Sequence, residues 1–271
     1  MHDTDLLLLG CGNMGAALAA GLLVRKPAAR IVAVDPDPGR ARALLPRGAA
    51  VDVRDRLPEA VRPALVVLAV KPQALPVALP PLAASAAGRG LVASIVAGAR
   101  VEALRRHLPE ARIVRTMPNT PALVGAGVTA LWAEASVTAE DRQRCDALFG
   151  AVGTTHWLPA EAMIDAVTAV SGSGPAYVFA VVEAMARAGA ALGLPAPLAD
   201  VLARATVAGA SAMLAVPGAD PAQLKAAVRS PAGTTDAALR VFEEGETLQD
   251  LLSRAMEAAH RRSIELGETV A

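Results

Sequence analysis

The sequence predicts an α/β N-terminal half with a doubly wound, mostly parallel sheet, followed by an all-α C-terminal half. From residue 5 to about residue 158, short β-branched or leucine-rich runs alternate with Ala/Leu-rich helical patterns. This alternation is typical of a parallel sheet covered by helices on both faces. After about residue 160 the β pattern disappears, and glycine and proline separate a series of helical patterns. We therefore predict domains at residues 1–158 and 159–271.

Strand and helix patterns follow one another closely in the first half. The runs at 64–70 and 90–96 are continuously apolar, as expected of strands buried on both faces. The predicted strands are 5–10, 31–35, 64–70, 90–96, 112–116, 127–132 and 154–158, and the predicted helices are 14–24, 38–45, 73–86, 101–108 and 138–150. In the second half the predicted helices are 161–170, 174–191, 197–215, 220–229, 234–244 and 247–266.

The first strand runs into Gly-Cys-Gly-Asn-Met-Gly, which has the glycine spacing of a dinucleotide-binding turn. Gly10 allows a sharp turn, Gly12 leaves room for a pyrophosphate, and Gly15 lets the next helix pack closely. Free N–H groups at the helix N-terminus then face the phosphates. The second strand ends at Asp35, 20 residues after Gly15, where a carboxylate binds the ribose. The alternative is a turn that binds no ligand, but the flanking strand and helix favour a Rossmann dinucleotide-binding domain.

Composition excludes several classes of function. The formal net charge is zero, so charge gives no argument for binding nucleic acid or an anionic membrane. No uninterrupted apolar run reaches the ~18 residues of a membrane span, so we expect none. Cys11 and Cys145 form no disulfide framework, and without a signal peptide they indicate reduced thiols in a cytoplasm. The four histidines, His2, His107, His156 and His260, show no metal-ligand spacing.

Three further segments lie where predicted strands end, which is where doubly wound sheets bind ligands. Lys71 is one of three lysines in the chain and follows the strand at 64–70. It suits a contact to the cofactor ribose or phosphates, or a plain surface turn before Pro72. Ala97 and the next glycine are small enough for a flat ring to lie against the backbone. The segment 117–121 forms a rigid polar loop, and both segments could instead be ordinary turn chemistry.

Two segments interrupt the apolar pattern of the helical half. Residues 171–177 open a long helix with capping serines and the only tyrosine of the chain. Residues 230–236 follow Arg229 and combine hydroxyls with free backbone N–H groups, which suits a carboxylate or oxyanion. An ordinary helix cap is the alternative for each segment.

The helical half as a whole is rich in small apolar residues, and aromatic residues make up only 2% of the chain. We therefore expect it to bury surface against a second copy in a homodimer, with a monomeric helical domain as the alternative.

Five motifs together make the chain resemble the pyrroline-5-carboxylate reductase family over nearly its full length. They are GCGNMG (10–15), AVKPQ (69–73), MPNTP (117–121), SGSGPAY (171–177) and SPAGTT (230–235). The resemblance implies the last step of proline biosynthesis, in which a hydride passes from NAD(P)H to the C=N carbon of Δ1-pyrroline-5-carboxylate to give L-proline. It also implies a Rossmann domain followed by a helical domain that interlocks with a partner, and dimers that often assemble into decamers.

The resemblance also implies roles for individual residues. Thr235 corresponds to the threonine that hydrogen-bonds the substrate ring nitrogen, and is the predicted catalytic residue. The predicted substrate-binding residues are Ser230, Gly233, Thr234 and Thr235. With Asp35, the predicted cofactor-binding residues are Gly10, Cys11, Gly12, Asn13, Met14, Gly15, Ala69, Val70, Lys71, Pro72, Ala97 and Asn119.

Three positions depart from the family pattern. Ala232 replaces a glycine, which matters only where φ is positive. Ala226 replaces an acidic residue next to Lys225. Asp35 replaces a small or neutral residue and would repel the 2′-phosphate of NADPH. Because Arg40 is near enough in sequence to offset that charge, the cofactor is predicted as NADPH or NADH, with Asp35 favouring usable NADH.

Two other functions are consistent with the general plan of the chain. A β-hydroxyacid dehydrogenase or unrelated imine reductase shares this plan, but the former needs a catalytic lysine that residues 161–191 do not contain. A non-catalytic NAD(P)H sensor would have no need for the polar loop at 230–235.

Overall fold

The computed structural model describes residues 3–269, and its eight strands form one sheet. The strands are β1 Thr4–Leu9, β2 Ile31–Val34, β3 Val51–Arg54, β4 Pro63–Leu68, β5 Leu91–Ser94, β6 Arg112–Met117, β7 Gly127–Ala133 and β8 Gly153–Trp157. Their order is β3-β2-β1-β4-β5-β6-β7-β8, so the sheet winds in opposite directions from β1. This is the predicted doubly wound arrangement, and its crevice lies at the carboxyl ends of β1 and β4.

Two features of the sheet differ from the sequence prediction. β3 was not predicted, because it is a four-residue edge strand whose Val-Asp-Val-Arg sequence is largely exposed. β7 runs antiparallel to β6, and β8 is parallel to β7. The segment between β6 and β7, residues 118–126, is too short for the crossover that a parallel connection needs.

Helices cover both faces of the sheet. They are α1 Asn13–Arg25, α2 Pro38–Leu44, α3 Leu75–Ala84, α4 Val101–His107 and α5 Ala139–Phe149. Alternate residues of β1 enter two different cores: Leu6 and Leu8 belong to the cluster that contains α1 and α5 residues, whereas Leu7 and Leu9 pack with α3 and α4. The first strand is therefore buried on both faces, as its continuous apolar run predicts.

The chain forms two compact units, one of residues 3–173 and 259–269 and one of residues 174–258. Within the first unit, α6 (Met163–Val167) packs on the sheet through the fully buried Ile164 and continues into a wide helical turn over Thr168–Gly172. This first unit includes α6, which packs against Met117 and Ala130 of the sheet. The domain boundary at 158/159 stays a prediction.

The second unit is all helical. It contains α7 Gly174–Ala191, α8 Ala196–Leu214, α9 Pro221–Ala227, α10 Thr234–Glu243 and the first half of α11 Thr247–Thr269. α7 has no buried residue in the single chain, and Phe179 is 66% exposed. The continuous helical stretch Met163–Ala191 is long and apolar enough to cross a membrane, judged by length and composition alone. Core helices of soluble proteins meet the same two criteria. The prediction that the chain has no membrane span stays a prediction.

Candidate active site

The glycine-rich turn leaves the end of β1 with the geometry that its three glycines predict. Gly10 has a φ of +93°, and a Cβ there would lie 2.5 Å from the carbonyl oxygen of Ala69. A Cβ on Gly15 would lie 2.6 Å from the carbonyl oxygen of Gly10. A Cβ on Gly12 would meet nothing within 4 Å, so open space lies beside this residue. The first two glycines are therefore required by the fold, and Gly12 adjoins free volume.

The N-terminus of α1 faces that free volume without a side-chain cap. Gly12 is the N-cap residue and offers no side-chain acceptor to the first N–H groups of the helix. Asn13 is exposed and Met14 is half-buried, so this first turn is accessible. An uncapped N-terminus of a thirteen-residue helix suits an anionic group such as a pyrophosphate. These residues fit the predicted dinucleotide.

Asp35 is held against the glycine-rich turn. Its two carboxylate oxygens accept the backbone N–H groups of Cys11 at 2.9 Å and of Asp37 at 3.0 Å, and the residue is only 6% exposed. Asp35 therefore joins β2 to the turn, whatever it contacts in a bound ribose. Sequence spacing alone did not indicate these two hydrogen bonds.

Both thiols are buried and weakly acidic. Burial and the charge of Asp35 raise the pKa of Cys11 to about 11, and burial, with nearby Asp146 and Asp141, raises the pKa of Cys145 to about 12. Because the thiolate is the reactive form, we expect native protein at pH 8 to react with Ellman's reagent far more slowly than protein unfolded in guanidinium, which exposes both thiols. Rapid reaction of one thiol in the native protein would contradict this assignment.

A cavity of about 360 Å³ lies at the carboxyl ends of β1, β2 and β4. Its walls include Gly10 of the turn, Pro36 after β2, Val70 after β4, and Arg56 and Leu57 after β3. Its position beside the glycine-rich turn suits the adenosine half of a dinucleotide. Arg56 and Leu57 were not predicted as site residues, because β3 was not predicted. The alternating valines at 51 and 53 were the available signal.

The predicted residues after β4 and β5 lie at the same edge of the sheet. Ala69 donates its N–H to the carbonyl of Leu9 at 2.7 Å, which joins the end of β4 to β1 beside the glycine-rich turn. Lys71 is exposed, and the adjoining Pro72 begins a short helical turn as predicted. Ala97 is half-buried after β5. The sheet thus brings the ends of three neighbouring strands together.

Gly98, the residue after Ala97, packs against the last helix. Gly98 has a φ of +78°, and a Cβ there would lie 2.8 Å from the backbone carbon of Leu266 in α11. The last helix therefore supports the loop after β5 from behind. This contact between residues distant in sequence was not predictable from the motif.

Asn119 connects the polar loop at 117–121 to the segment at 171–177. Its side-chain amide donates to the carbonyl oxygen of Ser171 at 3.1 Å, and its side-chain oxygen accepts the N–H of Val128 at 2.9 Å. The residue is 9% exposed. Asn119 thus fixes the start of the 171–177 segment against β7, next to the end of β6.

A buried charge cluster lies under this segment. Arg115 of β6 is 2% exposed and contacts Glu161 at 3.2 Å and Asp165 of α6 at 3.5 Å. Asp165 also accepts the hydroxyl of Ser263 of α11 at 2.7 Å, and Glu161 accepts the N–H of Val101 at the start of α4. Nε of Arg115 is buried and has no hydrogen-bond partner, and it is the one buried side-chain nitrogen or oxygen of which this is true within residues 3–269. The cluster ties β6, α4, α6 and α11 together.

The predicted substrate loop lies in the second unit, before α10. Gly233 caps this helix without a side-chain acceptor and donates its own N–H to the carbonyl of Ser230 at 3.0 Å. Thr234 is exposed and Thr235 is half-buried, both in the first turn. The loop therefore offers an uncapped helix N-terminus flanked by hydroxyl groups, as predicted for a carboxylate-binding segment.

Ala232 lies inside this loop in the left-handed conformation. Its φ is +59°, and among residues 3–269 it is the non-glycine residue with a positive φ. Alanine in this conformation is strained by about 1–2 kcal/mol. The departure from the family glycine therefore occurs where φ is positive, the condition under which it matters.

Ion pairs surround the loop. Arg229, just before it, donates to Asp236, just after it, at 2.7 Å, and to Glu243 at 3.0 Å. The Arg229 guanidinium lowers the pKa of Asp236, so this pair stays ionised at neutral pH. Lys225 also contacts Glu243, at 3.1 Å, so it has an acidic partner despite Ala226. Arg229 is therefore already paired with two carboxylates.

The described part of the chain has no cluster of three or more His, Cys, Asp or Glu side chains placed to hold a metal ion. Of the four histidines, His2 lies outside the described residues.

Comparisons with known proteins match both halves of the chain. Residues 161–266 match the model for pyrroline-5-carboxylate reductase dimerisation, and residues 6–98 match that for coenzyme F420-dependent NADP oxidoreductases. Pyrroline-5-carboxylate reductase of Pseudomonas aeruginosa is 43% identical over 99% of this chain and 98% of its own length.

Solved structures agree with these matches. A Coxiella burnetii pyrroline-5-carboxylate reductase, 33% identical, superposes with a TM-score of 0.88 over 97% of this chain and 98% of that one. The Plasmodium falciparum enzyme with NADP bound, 28% identical, gives 0.78 over 98% and 99%. The Rossmann half followed by a helical dimerisation domain is thus confirmed, and the chain has a nicotinamide cofactor and a small-molecule substrate, and oligomerises. The chain belongs to the pyrroline-5-carboxylate reductase family and catalyses the NAD(P)H-dependent reduction of Δ1-pyrroline-5-carboxylate to L-proline.

Proposed function

We propose that Ser230, Gly233, Thr234 and Thr235 bind the substrate carboxylate, and that Thr235 also orients the ring nitrogen. The observation that carries this proposal is the N-terminus of α10, which has no side-chain cap and begins with two threonines. Free N–H groups and hydroxyls at a helix N-terminus are suitable donors to a carboxylate. Arg229 does not bind the substrate in this scheme, because Asp236 and Glu243 neutralise it.

The reaction requires little acid–base catalysis from these side chains. A bound reduced nicotinamide supplies the hydride. When the substrate imine binds in its protonated form, its nitrogen already carries the proton, so no strong acid from the protein is required. A threonine hydroxyl is too weak an acid to drive proton transfer alone. Thr235 therefore acts by holding the ring nitrogen in one orientation, which keeps the reacting carbon in place.

Replacing Thr235 with alanine tests this assignment. Loss of one hydrogen bond formed in the transition state is expected to lower kcat/KM for pyrroline-5-carboxylate by about ten-fold or more. Steady-state kinetics at saturating NADPH measure the effect, with Thr206→Ala as the control because its hydroxyl donates to the carbonyl of Leu202 within α8. Unchanged kinetics of Thr235→Ala would remove this residue from the mechanism.

In the first unit, we assign the pyrophosphate to the uncapped turn of α1 and the adenosine to the cavity beside it. This follows the open space at Gly12 and the position of the cavity after β1, β2 and β4. The residues proposed to hold the cofactor are Gly10, Cys11, Gly12, Asn13, Met14, Gly15, Asp35, Ala69, Val70, Lys71, Pro72, Ala97 and Asn119, with Arg56 and Leu57 added from the cavity wall.

Cofactor preference depends on the groups near the ribose 2′ position. Asp35 favours the hydroxyl of NADH, although both its oxygens already accept backbone N–H groups. Arg56 lines the cavity, its side chain is 85% exposed, and its partner Asp55 lies at 3.5 Å. We propose that both cofactors are used and that Arg56, rather than Arg40, contacts the 2′-phosphate of NADPH.

Arg56→Ala is expected to raise KM for NADPH about ten-fold, the size of one charge-assisted contact to phosphate, and to leave KM for NADH within about two-fold. Arg40→Ala is the matched control, because Arg40 is an exposed cation that follows Asp35 closely in the sequence. Equal changes for both cofactors in Arg56→Ala, or a selective loss for NADPH in Arg40→Ala, would reject the assignment to Arg56.

For the assembly, we propose a homodimer formed through the helical half, able to associate further into an oligomer such as a decamer. Exposed apolar side chains on α7 and α8 support this, with Phe179, Val201 and Leu214 each more than half exposed. Such surface is normally covered in a soluble oligomer. The buried reduced thiols are consistent with a cytoplasmic location.

A further inference from the structure

The substrate loop combines backbone strain with a charge pair that joins its two ends. Ala232, in its middle, has a φ of +59° and is exposed, so little packing holds it, and the turn around it is closed by the hydrogen bond from the N–H of Gly233 to the carbonyl of Ser230 at 3.0 Å. Arg229 precedes the loop by one residue, Asp236 follows it by one, and their side chains meet at 2.7 Å. A strained residue persists only where its surroundings enforce the conformation.

We propose that the Arg229–Asp236 ion pair holds the 230–235 loop in its strained, substrate-binding conformation, which makes Arg229 a positioning residue for the substrate. This inference rests on the proposed role of the loop in binding the substrate carboxylate. Without the ion pair, the strain at Ala232 is opposed by the local turn that the Gly233 N–H closes onto the carbonyl of Ser230, so Ala232 returns more readily to a negative φ. The first N–H groups of α10 and the hydroxyl of Thr235 then lose their common orientation.

The contacts of Arg229 explain why this residue is suited to that task. Its guanidinium also pairs with Glu243, at the far end of α10, at 3.0 Å. Arg229 therefore pairs with carboxylates at both ends of the helix. Its side chain is 32% exposed, and that of Asp236 is 9% exposed. A planar guanidinium with several donors can hold two carboxylates at once, which a lysine ammonium does less well.

Arg240 provides a matched control on the same carboxylate. It donates to the other oxygen of Asp236 at 2.9 Å from one turn further along α10, and its side chain is 72% exposed. Arg240→Gln removes an ion pair from Asp236 but does not release the loop, because both partners belong to α10. The comparison separates closure of the loop from the charge balance of Asp236.

Arg229→Gln is expected to raise KM for pyrroline-5-carboxylate about ten-fold, because only the closed fraction of the loop binds substrate. At saturating substrate kcat stays within about two-fold, and KM for NADPH is unchanged. Arg229→Lys restores part of the affinity, and Arg240→Gln behaves as the wild type. These values come from steady-state kinetics of the full-length protein, with thermal unfolding and size-exclusion chromatography reporting on the fold.

The decisive measurement is Arg229→Gln in an Ala232→Gly background. Glycine adopts a positive φ without strain, so the loop stays closed more easily when the ion pair is lost. The effect of Arg229→Gln on KM is then expected to shrink from about ten-fold to about three-fold or less. If Arg229→Gln fails to fold, Arg229→Lys in the same two backgrounds makes the same comparison.

Three results would overturn the proposal: an unchanged KM in Arg229→Gln, an equal rise in Arg240→Gln, or the same defect with and without the Ala232→Gly change. Thr235→Ala shows which level has failed. If Thr235→Ala is impaired and Arg229→Gln is normal, the loop binds substrate but needs no ion pair. If Thr235→Ala is also normal, the proposed role of the loop in binding substrate is wrong.

Discussion

Replacing Gly12 with valine is expected to weaken NADPH binding by about a hundred-fold or more while the protein stays folded. Gly12 has a φ of −75°, which any residue adopts, and a Cβ there meets no protein atom within 4 Å. A side chain at this position therefore costs the fold little. It fills the space through which a pyrophosphate approaches the N-terminus of α1.

Equilibrium binding of NADPH, followed by its fluorescence, measures the loss directly, and thermal unfolding without cofactor reports on the fold. Gly10→Val is the contrasting variant. Its Cβ would lie 2.5 Å from the carbonyl oxygen of Ala69 at a φ of +93°, so it should lower stability as well as binding. Near-normal NADPH affinity in Gly12→Val would show that the dinucleotide does not approach this turn.

How much of this site the sequence could predict depends on how local each signal is. The turn from Gly10 to Gly15 was predicted correctly, because each glycine acts within a few residues of itself. The buried strands β4 and β5 were found from their continuous apolar runs. β3 was missed because four alternating residues at a sheet edge resemble a loop. The cavity residues Arg56 and Leu57 were lost with it.

Contacts between distant segments were beyond sequence reasoning. The hydrogen bond from Cys11 to Asp35 spans 24 residues, and that from Ser263 to Asp165 spans 98. Neither follows from a periodicity or a motif. In contrast, the glycine that the family pattern has at position 232 raised the possibility of a positive φ there. The structure shows that the φ of Ala232 is positive.

The buried cluster around Arg115 leads to the second large expected effect. Arg115→Met removes the cation that faces Glu161 and Asp165 and leaves both carboxylates without it. An uncompensated buried charge costs about 3–5 kcal/mol of the free energy of unfolding. For a chain of this size, that corresponds to a fall in Tm of about 10 °C. Calorimetry or chemical denaturation at pH 7 measures the loss. Arg106→Met, which breaks an exposed pair with Glu102, should cost less than about 1 kcal/mol.

A triple variant, Arg115→Met with Glu161→Gln and Asp165→Asn, separates charge from packing. It removes all three charges while keeping side chains of similar size, so it should recover much of the stability lost in Arg115→Met. If the triple variant is as unstable as Arg115→Met, the cluster stabilises the protein through hydrogen bonds and packing rather than charge compensation.

The Arg115→Met change should also loosen the 171–177 segment, because Asp165 joins α6 to Ser263 of α11 and Asn119 holds Ser171 just beyond α6. Faster amide hydrogen exchange at residues 168–177 in Arg115→Met, but not in Arg106→Met, is the expected sign of that coupling.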